Sequence, residues 1–80
     1  MWIRDQSKRL LTNADTSNGI LINEYPDECL ICLEYGNTSF KLGEYSSKEK
    51  ALLVLDMIEK VAMYSGNTLF QMPEDEEVEV

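Results

Sequence analysis

Cys29 and Cys32 are the first residues of this 80-residue chain with a recognisable chemical spacing. A C-x-x-C pair serves redox exchange or zinc binding when a turn or helix start brings both sulfurs together. Here the frame over 28–35 reads Glu-Cys-Leu-Ile-Cys-Leu-Glu-Tyr, with no Gly or Pro between the thiols, and it reads as a strand. Strand residues three apart face opposite ways, with Cα atoms about 10 Å apart. A disulfide needs less than about 7 Å. The chain has no second cysteine pair and no histidine. The thiols are therefore read as reduced and packed, and neither a metal nor a cofactor is expected.

Without histidine, catalysis would need paired carboxylates, an activated cysteine or a desolvated lysine. Most carboxylates fall on turns, on a helix face or in the last seven residues, where water solvates them. No Gly-rich phosphate loop interrupts the sequence, and an enzyme is not expected. A second constellation lies at the start. Trp2 and Arg4 share one face of a short strand, Lys8 and Arg9 follow on a turn, and Lys41 joins them if its strand lies close. Aromatic and Arg side chains on one face can clamp a nucleotide-like or phosphorylated ligand. The plainer alternative has Trp2 plugging one end of the core while the cations pair with local acids.

Strands are expected over 2–4, 9–13, 19–25, 28–35 and 38–45, with polar turns between them. The fourth is apolar on both faces, which suits a central, covered strand. A helix follows: Ser46 and Glu49 form a capping box, apolar residues recur at Ala51, Val54, Leu55, Ile58, Val61 and Ala62, and Gly66 supplies the C-cap. A short last strand over 68–72 precedes Pro73. The expected fold is α+β: a small antiparallel β-meander of about five strands packed by one amphipathic helix. It forms a single domain over 1–73, followed by an acidic, disordered tail over 74–80.

The net charge of −8 is uneven. Residues 1–23 carry +1 and 24–45 carry −4, while 66–80 hold five acids and no base. Phosphate backbones repel such a chain, so direct nucleic-acid binding is not expected, whereas a basic protein surface would be attracted. No apolar run is long enough to span a membrane, and the start turns polar by residue 4. A cytoplasmic location is the expectation.

Leu53, Met57 and Tyr64 flank the helix stripe and widen its apolar arc to about 200°. One small sheet cannot cover so wide an arc. These residues, together with the acids Glu24, Asp27, Glu28 and Glu34, are the candidate partner interface. A domain this short gains stability from association, and a homo-oligomer is expected.

Four linked blocks add a resemblance: Met-Trp-Ile-Arg-x-Gln at 1–6; Leu10, Leu11 and Asn13; Leu-Gly-x-Tyr-x-Ser-x-Glu-x-Ala-x-x-Val-Leu-Asp-x-Ile at 42–58; and Phe-x-Met-Pro at 70–73. Together they resemble a group of short proteins from Gram-positive bacteria, their prophages and phages. Asp5 stands where that group more often has Ser, and the acidic tail is longer. The resemblance carries no catalytic residue. It implies a non-catalytic protein that binds and inhibits a host factor, in counter-defence. The alternatives are a homo-oligomeric sponge holding a small signalling nucleotide on Trp2, Arg4, Lys8, Arg9 and Lys41, and a housekeeping interaction module.

Overall fold

The computed structural model describes residues 1–64 and 67–80. The chain runs through β1 (Trp2–Arg4), β2 (Leu11–Asn13), β3 (Gly19–Glu24), β4 (Cys29–Tyr35), β5 (Thr38–Tyr45), α1 (Lys48–Ala62) and β6 (Leu69–Gln71). This is a small α+β fold. Its strands do not form one meander, however. They divide into two three-stranded sheets, ordered β2-β1-β6 and β3-β4-β5. Only the second is an antiparallel meander, because β6 runs parallel to β1. A 3-10 turn at Ala14–Thr16, capped by the Asn13 side chain on the Asp15 amide, separates β2 from β3. Among the described residues no helix is long and apolar enough to cross a membrane.

The strand ends follow from local hydrogen bonding. The second strand starts at Leu11 rather than Arg9, because the Asp5 carboxylate accepts the amides of both Arg9 and Leu10. Those amides serve the turn instead of the ladder. Lys8 closes the turn with φ of 68°, a left-handed conformation that disfavours a side chain. The helix begins one residue later than the capping box implied: Ser47 accepts the Lys50 amide at 3.2 Å. The Gly66 cap lies outside the described residues.

Alternation along β4 turns Cys29, Ile31 and Leu33 toward α1, which presents Ala51, Val54 and Ile58. Ile3 and Phe70 enter the same core from the other sheet, so two sheets share the work of covering the helix. A register shift between Ile31 and Cys32 pairs Ile31 with Gly43 and Cys32 with Lys41, leaving Leu42 as the extra residue. Leu42 fills the core, and the Tyr45 ring lies over Gly43, where an added Cβ would meet it at 3.0 Å. Gln6 joins the sheets at this bulge. Its amide donates to the Leu42 carbonyl at 2.8 Å, its side-chain nitrogen donates to the Glu44 and Pro73 carbonyls, and its side-chain oxygen accepts the Glu44 amide at 2.9 Å.

The segment 74–80 departs from the expected disordered tail. Asp75–Glu77 forms a 3-10 turn, and Val78 sits in the main core at 2% exposure. The Ser46 amide and hydroxyl donate to Asp75 Oδ1 at 2.8 and 3.1 Å, and Lys50 Nζ donates to the Asp75 carbonyl at 2.9 Å. These bonds hold the Asp75 carboxyl below its ordinary value, the Ser46 amide being the largest cause. Average composition misses a segment anchored by one buried valine and one carboxylate at a helix start.

Candidate binding surface

The first sheet presents an open face. Ile3 is wholly buried, so Trp2 and Arg4 must point the other way along β1. Register then places Trp2 beside Asn13 and Leu69, and Arg4 beside Leu11 and Gln71. Trp2, Leu11 and Leu69 are 40%, 52% and 61% exposed. With Asn67 and Thr68 they line a shallow groove of about 310 Å³. Large apolar side chains gathered on one face, rather than scattered, are the kind of exposure that calls for an explanation.

Arg4, Lys8 and Arg9 form no ion pair among the described residues. The nearby Asp5 carboxylate is committed to its own turn. Desolvation, the largest single influence, pushes its carboxyl up, but the hydrogen bonds from Leu10, Ser7 and Arg9 together outweigh it and leave it below the ordinary value. The β1–β2 hairpin therefore carries an aromatic side chain, three cations without an ion pair among the described residues and the single carboxylate of Asp5, in a chain of net −8.

Lys41 does not join them. It donates to Glu44 at 2.7 Å and lines a separate cleft with Asp5, Gln6, Ser7 and Glu74. Its ammonium is held above the ordinary value, chiefly by the Glu44 hydrogen bond. The β5 bulge is the physical reason, because it directs Lys41 to the outer face of the other sheet, opposite Cys32.

No protein-family model, curated protein or solved structure matches this chain. The surface must be read from its own chemistry.

The candidate partner residues scatter. Leu53 packs against the core and is only half-exposed, whereas Met57 is 39% and Tyr64 72% exposed. Leu52 and Met63, which are not among these candidates, are more exposed than Leu53. Glu24 pairs with Lys48 at 3.3 Å. Asp27 and Glu28 line an acidic cleft with Glu44, Tyr45, Ser46 and Asp75, while Glu34 lies at the other end of β4. These acids form no single patch.

Both cysteines are free and buried. Cys29 belongs to the main core; Cys32 does not, and instead accepts a hydrogen bond from the Asn23 side-chain nitrogen at 3.4 Å. The opposed geometry is that of strand residues three apart.

Leu11 and Leu69 are not among the candidate binding residues read from the sequence, although a signal was there. Leu10-Leu11 and Leu69-Phe70 are adjacent apolar pairs, and consecutive strand residues cannot share a face. One member of each pair had to point away from the core.

Proposed function

We propose that this chain is a non-catalytic binding protein of phage or prophage type that inhibits a host factor, with the open face of β2-β1-β6 as its contact surface. The observation that carries this reading is the cluster of Trp2, Leu11 and Leu69 beside Arg4, an arginine without an ion pair among the described residues. Trp and Arg are the side chains that most often dominate protein–protein contacts when a partner desolvates them. A shallow groove suits a protrusion from another protein better than a small molecule, which is normally enclosed over most of its surface. The counter-defence role rests on the resemblance to short phage proteins. The nucleotide-sponge alternative draws on the same Trp2–Arg4 pair, but Lys41 is engaged elsewhere.

The test is capture of host proteins on wild-type, Trp2→Ala and Arg4→Glu chains, followed by activity assays of the captured protein. Support requires a protein retained by wild type, lost by both variants and inhibited by the purified wild-type chain. Equal retention by all three would refute the assigned face. A phosphorylated ligand seen by native mass spectrometry, and lost in Arg4→Glu, would favour the sponge.

A further inference from the structure

The two sheets have four outer edges, and their protection is unequal. Strands β2 and β6 are three residues each, too short to template much pairing. The outer edge of β5 is bulged at Leu42, bonded by Gln6 and marked by Lys41. The outer edge of β3 has none of these devices. It runs six residues, Gly-Ile-Leu-Ile-Asn-Glu, in unbroken register with β4, without proline or lysine, and its single charge stands at the last position. An edge of this length and apolarity is a ready template for another strand.

We propose that β3 pairs antiparallel with β3 of a second copy, making one six-stranded sheet across a twofold axis. Such a contact is self-complementary, because the same edge serves both partners. Antiparallel pairing sets the Gly19 end of one strand against the Glu24 end of the other. The two Glu24 carboxylates then lie at opposite ends of the ladder and do not repel each other across it. The helix layer extends the contact. Leu52 is 43% exposed and, with Ile22, Asn23, Glu24 and Lys48, lines a groove of about 510 Å³ along the edge. The one anion and one cation of this groove already neutralise each other at 3.3 Å. A neutral, apolar edge on a chain of net −8 is the place where two copies repel least.

Light scattering on the full chain at tens to hundreds of micromolar, in low and high NaCl, tests the pairing. The expected mass is twice 9.2 kDa, with dissociation on dilution and tighter association in high salt, which screens the repulsion between subunits. Hydrogen exchange should show amides within Gly19–Glu24 losing protection on dilution while those of β4 keep theirs. Leu52→Glu and Leu21→Lys should each give monomers, and near-ultraviolet dichroism of Trp2 reports that they stay folded. Trp2→Ala should remain dimeric and so separates this edge from the face assigned to the partner. A monomer throughout would overturn the proposal, as would a dimer that survives Leu52→Glu, or one lost in Trp2→Ala but kept in both edge variants.

Discussion

Val78→Ala isolates the contribution of the C-terminal segment to the fold. Val78 is 2% exposed within the main core, whereas Val80, two residues on, is 77% exposed. The substitution removes two buried carbons at about 0.8 kcal/mol each, and the void left behind raises the total to about 2 kcal/mol. For a domain of this size that lowers Tm by roughly 10 °C. Val80→Ala is the matched control and should stay within about 0.5 kcal/mol of wild type, as surface changes usually do. The assay is thermal and urea unfolding followed by far-ultraviolet dichroism. All chains are held at one concentration, because association through β3 would make Tm concentration-dependent. Deletion of 74–80 should destabilise in the same direction, since it also removes the Asp75 bonds to Ser46. If Val78→Ala and Val80→Ala melt together, the segment is not docked and the reasoning about its anchor fails.

Two further substitutions probe the joints of the fold. Gly43→Ala puts a Cβ at 3.0 Å from the Tyr45 ring, and should cost about 1–3 kcal/mol as an overpacked core position; a neutral effect in urea titration would contradict the packing described. Tyr45 itself is held protonated well above its ordinary value by burial, then by Glu74, Asp75 and Glu77, and it donates to the Pro73 carbonyl at 2.8 Å. Tyr45→Phe should therefore lose about 1 kcal/mol, the net worth of a partly buried hydrogen bond, with an unchanged urea m-value. Asp75 sits below its ordinary value in the folded chain, so its stabilisation is complete above the unfolded carboxylate value near pH 4 and is lost as pH falls through the lower folded value. Urea stability of wild type minus Asp75→Asn should shrink across that acid window, and a difference independent of pH would refute the role given to the carboxylate.

Local patterning made the second sheet and the helix legible. Two-sided apolarity marked β4 as central, and the strand over 38–45 appears with the expected ends. Of the helical stripe at Ala51, Val54, Leu55, Ile58, Val61 and Ala62, the residues Ala51, Val54 and Ile58 are buried, Leu55 and Val61 are partly buried, and Ala62 at the helix end is exposed. The β1–β2 hairpin was legible from its polar turn, but the place of β6 beside β1 was not, because a strand of three residues carries too little alternation to choose a neighbour. Partition into two sheets depends on long-range contacts, such as Ile3 with Phe70 and Gln6 with the β5 bulge, that no local pattern encodes. The cap moved by one residue because Ser46 and Ser47 both suit it, and the choice was made by Asp75, a residue 29 positions away. The candidate surface was half legible: Trp2 and Arg4 were placed on one face, but Leu11 and Leu69 join them only once the sheet order is known.

The division into two sheets also decides which surfaces are free. In one meander with the helix on a single face, β1 would have to cover α1 directly, and its large side chain at Trp2 would be the natural plug for the core end. Here Ile3 and Phe70 cover that end instead, and Leu42, Tyr45, Met72 and Val78 complete the core. Trp2 is released to the outside. The open β3 edge belongs to the other sheet, so pairing there need not obstruct the Trp2 face. A dimer through β3 would thus display two copies of the Trp2 face. Against a target that is itself oligomeric, that doubling converts a weak contact into an intramolecular second one and can raise avidity by about 10²–10⁴ when the spacing fits. On this reasoning Leu52→Glu should weaken inhibition of an oligomeric target far more than it weakens binding to a single isolated target subunit. Titration of both forms by surface plasmon resonance would separate the two effects, and equal losses would show that the edge and the face do not cooperate.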